Sequence, residues 1–331
     1  MADKVRLGSI GLGWWGGSLA DAATASGEAE IVSCFARTES AREQFADRYS
    51  CRTAGSLDIL LAGDDVDGVL VATPHSTHVD IIEAAAGAGK HILVEKPLTL
   101  SVPHGRRAIK AASQAGVTLQ VGHHRRRQPA TRRLRDLVES GDLGEVSLLE
   151  ANMSGRSGIN PRTGWRGDPA ECPLGGMTGM GVHMADNMIY LVGPVRSVST
   201  ISRKTLARGP LHDATALALE FEGGAVGYLG TSTVVPARTT TAAFGSEGAA
   251  WSEEEGQRLF RQGITDPGRH EVDVDGVDAM VDQMREFADC IRTGKKPEVD
   301  GEQALLVVAL LEAAVLSHGR GQVVQVSEVI G

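Results

Sequence analysis

The chain has 331 residues, 42% hydrophobic but only 4% aromatic, and a formal net charge of −9. That length suits two domains better than one core, and the acidic balance argues against a nucleic-acid partner, which needs a basic face. No apolar run approaches the ~20 residues of a membrane span. The N-terminal "MADKVRLGSIGLG" enters a strand directly, with no secretory signature. Cys34, Cys51, Cys172 and Cys290 form no C-x-x-C pair, which suits reduced thiols in a cytoplasm and gives no zinc signature.

In chain order, the first 120 residues alternate short apolar runs with helical patterns. "VRLGSIG", "AEIVSCFA", "VDGVLVAT", "HILVE" and "VTLQVG" read as strands. Between them, "GGSLADAATASG", "ESAREQFADRYS", "THVDIIEAAAGAG" and "SVPHGRRAIKAASQAG" read as helices. Near-continuous apolar strands separated by helices imply a parallel sheet covered on both faces. The pattern changes after Gly122. A helix over "ATRRLRDLVESGDLG" leads into "EVSLLEANMS", "VRSVSTISRK", "ATALALEFEGG", "AVGYLGTSTVV" and "TTTAAFGSEGAAW", whose alternation predicts a mainly antiparallel sheet. A helix is expected over Met180–Leu191, and two more close the chain near Val277–Thr293 and Gly301–Gly319. The reading is therefore α/β, with a doubly wound parallel domain over 1–123 and a second α/β domain over 124–331. The helix at about 301–319 is expected to pack back on the first domain.

"SIGLGWWGG" sets Gly11, Gly13 and Gly16 in G-x-G-x-x-G spacing, after a strand and opening a helix. In that context Gly11 serves a tight turn and Gly13 a close approach to a pyrophosphate on the helix N-terminus. Trp14 and Trp15 stand inside this loop as further cofactor contacts. An NAD site usually places an acid at the end of the second strand. Here that end carries Ala36, Arg37 and Thr38. Arg37 either pairs with a 2′-phosphate, with Thr38 adding a hydrogen bond, or stacks on the adenine. The expectation is NADP(H), with NAD(H) as the alternative. Thr73, Pro74, His75 and His78 fall at the carboxyl end of the third strand, and Glu95, Lys96 and Pro97 at that of the fourth, where such sheets bind ligands.

These motifs, together with G-V-H-M-A-D at Gly181–Asp186, resemble the Gfo/Idh/MocA family over essentially the whole chain. E-K-P and G-V-H-x-x-D are the specific parts. The resemblance implies a Rossmann domain, a C-terminal domain with a large open antiparallel sheet, and a nicotinamide cofactor. It also implies oxidation or reduction of a secondary alcohol on a sugar or polyol, homodimers or homotetramers through that sheet, and no metal. Lys96 and His183 match the family's catalytic pair. Asp186, three residues after His183, would orient it or hold a neighbouring helix.

Many family members carry Asp four residues before that histidine, in D-x-G-V-H. This chain has Gly179. Three outcomes follow: a substrate with another hydroxyl pattern, a relay of Lys96 and His183 alone, or loss of this chemistry. Thr178 and Arg166 are the polar neighbours able to substitute. The long loop Ser154–Gly176 brings Arg156, Arg162, Trp165 and Arg166, which either shape a pocket for an acidic substrate or contact another domain or subunit. In "HHRRRQPATRRLRD", His124 and Arg126 match a family segment at the substrate crevice, while the later arginines read as a solvated helix face. The expected activity is hydride transfer between nicotinamide and an alcohol of a sugar, polyol or related cyclic compound. A dehydrogenase of a carboxylated ring cis-dihydrodiol and a catalytically silent cofactor-binding sensor are the alternatives.

Overall fold

Strand β1 (Val5–Ile10) is buried at every position but Arg6 and becomes the centre of a parallel sheet. The computed structural model describes residues 3–160 and 163–331. Helix α1 (Trp14–Ser26) follows β1 and is stopped by Gly27 at φ 73°, a left-handed cap that glycine adopts without steric cost. The remaining elements of this unit are β2 (Ala29–Phe35), α2 (Glu39–Tyr49), β3 (Arg52–Thr53), α3 (Leu57–Leu61), β4 (Gly68–Val71), α4 (His78–Gly87), β5 (His91–Val94), α5 (Val102–Ala115) and β6 (Leu119–Val121). The strands lie in the order β3-β2-β1-β4-β5-β6 and all pair in parallel. The order reverses between β1 and β4, so this is a doubly wound Rossmann-type sheet with its ligand crevice at the carboxyl ends of those strands.

Its core joins Leu7, Leu19, Ile31, Leu70 and Leu93 to Met284, Phe287 and Ala288 from the distant helix Ala279–Thr293. Each full burial of a side chain of this size contributes about 1.5–3 kcal/mol. The chain divides into two compact units: Met1–His123 with Met280–Leu305, and His124–Ala279 with Leu306–Gly331.

The second unit starts with α6 (Pro129–Glu139), β7 (Val146–Ser154) and α7 (Val182–Val192). It continues with β8 (Val195–Arg203), β9 (Ala214–Phe221), β10 (Val226–Ser232), β11 (Arg238–Gly245), β12 (Gly248–Glu253), β13 (Arg258–Gly263), β14 (His270–Val272) and β15 (Val324–Gln325). Among the described residues these form one sheet in the order β14-β13-β12-β11-β7-β10-β9-β8-β15. Among the described residues every pairing in this sheet is antiparallel except β7 with β10. Strands β9 and β10 alternate buried and exposed residues, so one face is core and the other is not.

The structure corrects several boundaries. "TTTAAFGSEGAAW" is two strands, β11 and β12, hinged at Ser246-Glu247, not one. The helix expected from Met180 begins at Val182, because Met177–Gly181 forms a wider π-type turn ahead of it. The helix Gly301–Arg320 is long and apolar enough, by length and composition alone, to pass for a membrane span, although Glu302 and Glu312 interrupt its apolar run. It packs as a core helix, with Ala304, Val307, Val308, Leu310 and Ala314 all buried.

Candidate active site

In the first unit the β1–α1 loop turns at Gly11, at φ 88°. A Cβ there would stand 2.5 Å from the carbonyl oxygen of Ala72, and one at Gly16 would stand 2.1 Å from that of Gly11. Both positions therefore exclude a side chain. Gly13, the N-cap of α1, is the reverse: nothing lies within 4 Å of its Cβ position. No acid occupies the first turn of α1. The loop thus leaves an open, glycine-walled approach to a helix N-terminus, which fits the pyrophosphate of a dinucleotide. Trp14 is exposed, and its ring meets Trp15 edge-on at 4.6 Å.

Arg37 and Thr38 are exposed just beyond β2. The Arg37 guanidinium has no ion pair among the described residues. Arg42 on α2 donates to the carbonyls of Ala36 (2.8 Å) and Arg37 (3.4 Å), and so holds the turn that presents Arg37. Sequence reasoning missed Arg42. Its signal is an arginine in the first turns of the helix after the strand.

Thr73 and Pro74 follow β4. The Thr77 hydroxyl donates to the Pro74 carbonyl at 2.7 Å and to the Thr73 hydroxyl at 2.8 Å, which fixes this turn. His75 is buried, its ring 5.8 Å from that of His78. His78 is fully enclosed. Its Nδ1 hydrogen bonds with the carbonyls of Pro97 (3.1 Å) and Leu98 (3.2 Å), and its Nε2 with that of Thr73 (3.2 Å). It ties the turn after β4 to the turn after β5. Glu95 and Lys96 are both buried in that second turn, with the Glu95 amide donating to Val71 at 2.8 Å. The Lys96 Nζ lies 5.7 Å from the centroid of the Trp15 ring. A lysine ammonium is thereby placed beside the phosphate loop, within one unit, over the face of an aromatic ring.

In the second unit His183 is the second residue of α7 and is 2% exposed. Its ring meets that of His124 edge-on at 5.1 Å, and His124, in the short helical turn before α6, is also buried. Asp186 receives both nitrogens of a fork from Arg126: Nε to Oδ2 and Nη2 to Oδ1, each at 2.9 Å. The pair is 2% and 1% exposed. Asp186 therefore fixes α7 to the segment that carries His124. The same guanidinium lies 5.0 Å from the centroid of the Tyr190 ring. Arg135 donates to the carbonyls of Tyr190 and Leu191, at the end of α7, a favourable place for a cation. Arg133 alone of these helix arginines is exposed, while Arg132 and Arg135 are half-buried.

Ahead of His183, the Thr178 hydroxyl is buried and donates to the Pro173 carbonyl. Gly175 sits at φ 57° with its Cβ position 1.9 Å from the His212 carbonyl oxygen, while nothing lies within 4 Å of the Cβ position at Gly179. Trp165 and Arg166 are half-buried, the guanidinium 4.1 Å from the ring centroid. Arg156 is exposed, and Arg162 lies outside the described residues. Arg208 and His212, not foreseen, share a recess with Arg166 and Gly179. Their signal is "LARGPLHD", a Gly/Pro-marked connection between two strands.

A family model described as "Oxidoreductase family, NAD-binding Rossmann fold" matches residues 5–123. The GFO/IDH/MocA C-terminal domain matches residues 131–251. The chain is 28% identical to inositol 2-dehydrogenase of Rhizobium meliloti strain 1021, over 95% of this chain and 96% of the relative. It is 26% identical to D-xylose 1-dehydrogenase [NADP(+)] of Haloarcula marismortui, over 94% and 90%. A crystal structure from Desulfitobacterium hafniense DCB-2, with only a provisional name as an NADPH-dependent oxidoreductase, is 33% identical with a TM-score of 0.95 over 100% of both chains. With both domains matched in order and the fold shared end to end, this chain belongs to the Gfo/Idh/MocA family of NAD(P)-dependent oxidoreductases.

Proposed function

We propose that the chain is an NADP(H)-preferring oxidoreductase acting on a secondary alcohol or ketone of a sugar, polyol or related cyclic compound. The observation that carries the reading is Lys96, buried after β5 with its ammonium 5.7 Å from the Trp15 ring of the phosphate loop. A bound nicotinamide supplies the hydride chemistry, while the protein supplies orientation and proton handling. Gly11, Gly13, Trp14, Trp15 and Gly16 hold the pyrophosphate side. Arg37 and Thr38 take the 2′-phosphate, and Thr73, Pro74, His75 and Glu95 line the strand ends, with His78 bracing them. Lys96 donates a hydrogen bond to the substrate oxygen, and His183 takes its proton. His124 packs on His183 and limits its ring orientation. With glycine at 179, the relay runs through Lys96 and His183 without a third carboxylate.

The substrate is a small molecule. The nine-stranded sheet pairs copies into a homodimer or homotetramer, and four cysteines with no C-x-x-C pair suit the cytoplasm. The test is Lys96→Ala, followed by nicotinamide absorbance at 340 nm over a panel of sugars and inositols. The expected loss of turnover is about 10²–10⁴-fold with cofactor binding retained. Unchanged turnover overturns the role of Lys96.

A further inference from the structure

The second unit contains a recess between three loop segments. Its walls come from the loop around Ser157, the turn at Gly179 and Met180, and the connection Ala207–His212. Its charged lining is one-sided. Arg166 and Arg208 face it, and no Asp or Glu lines it among the described residues. In a chain of net charge −9 this is not an average patch of surface. Arg208 is exposed and has no ion pair among the described residues.

The acid beside His212 in sequence, Asp213, is committed elsewhere. It accepts the amide and hydroxyl of Thr205, both at 2.8 Å, and the amides of Leu206 (2.6 Å) and Ala207. It thus anchors the loop that holds Arg208 rather than neutralising it. Stacking on Trp165 holds the plane of the Arg166 guanidinium, a restraint that favours two-pronged recognition of a planar acid. Gly179 leaves the floor open, since a side chain there would enter the space beside Met180. Gly179, in the wall of the recess, stands four residues before His183 in the chain.

We propose that this recess is an anion subsite, and that the substrate is a sugar or polyol acid whose carboxylate binds Arg208 and Arg166. The proposal rests on the oxidoreductase reading above and adds the substrate class. The probes are D-glucuronate, D-galacturonate and D-gluconate against D-glucose and D-galactose, each with NADP⁺, read by titration calorimetry and by absorbance at 340 nm. The acids are expected to bind at least tenfold tighter than the neutral sugars. Arg208→Ala, on an exposed loop, brings the acid-to-neutral ratio of kcat/KM down at least tenfold, and Arg208→Lys restores part of it. Acids that bind no better than neutral sugars, or an Arg208→Ala effect equal on both, overturn the subsite. A hexose 6-phosphate that binds tighter than the hexuronates overturns the carboxylate assignment in favour of a phosphate. Turnover of neutral sugars without any acid preference sinks the subsite and leaves the oxidoreductase reading standing. Acid binding that depends on Arg208, with no absorbance change on any compound, sinks that reading and supports the subsite.

Discussion

Asp186 stands three residues after His183 and gives its whole carboxylate to Arg126. Both partners are almost fully enclosed, so removing one strands a charge, at a cost of about 3–5 kcal/mol. Asp186→Asn is therefore expected to lower unfolding stability by about 3 kcal/mol in urea titration. The double variant Arg126→Met with Asp186→Leu should recover most of that loss. Equal stability of the single variant and the parent would mean that the pair contributes nothing. Arg37 poses a different question, because it is exposed and its guanidinium has no ion pair among the described residues. If it holds a 2′-phosphate, it contributes about 1.5–3 kcal/mol to that contact alone. Arg37→Ala should then raise KM for NADP⁺ at least tenfold and leave KM for NAD⁺ nearly unchanged in steady-state assays. The positions of Lys96 after a strand and of His183 on a helix were legible in the sequence because short motifs carry them. What Arg126 and His78 bond to was not, since spacing puts a polar group at a strand end but does not say which carbonyl or carboxylate meets it.

The connection between β8 and β9 shows how one element depends on one acid. Burial pushes the Asp213 carboxyl up, but the amides of Ala207, Leu206 and Thr205 and the Thr205 hydroxyl outweigh it and hold its pKa at about 2. The folded value lies below the ordinary 3.8, so the stabilisation is complete above about pH 4 and is lost as pH falls through about 2. A gap of this size is worth about 2 kcal/mol. Asp213→Asn should lower the melting temperature near neutrality, and the difference from the parent should fade between pH 4 and pH 2. A difference independent of pH would show that the carboxylate charge is not what holds the loop. At this scale the sequence was readable where one period ran cleanly, as in the strand–helix alternation from Val5 to Val121. It failed where tertiary context decides. The Met177–Gly181 turn leads into α7 as a wider coil that its glycines do not specify, and β13 and β14 follow Glu254 and Glu255, whose positive φ values no periodicity reveals.

For the whole molecule, the parallel pairing of β7 with β10 and the burial of Met284 and Phe287 among residues near the N-terminus arise from contacts far apart in sequence. Composition could announce two domains and a broad sheet, but not these partners. The alternation along β8, β9 and β10 leaves Ile201, Val226 and Tyr228 exposed, 65%, 50% and 50%, on the face away from the core. Across the register, Ile201 stands opposite Ala216 and Tyr228 opposite Ala218, so small side chains separate the large ones on a nearly flat surface. The proposed homo-oligomer uses this face, with a second copy of the same sheet as the self-complementary partner that two-fold pairing requires. Ile201→Asp with Val226→Asp would set like charges against each other across such an interface without touching the buried face. Light scattering should then find a monomer where the parent is a dimer or tetramer, with the same circular dichroism spectrum. A parent already monomeric at micromolar concentration, or a charged variant that keeps the parent's mass, would remove this face from the assembly.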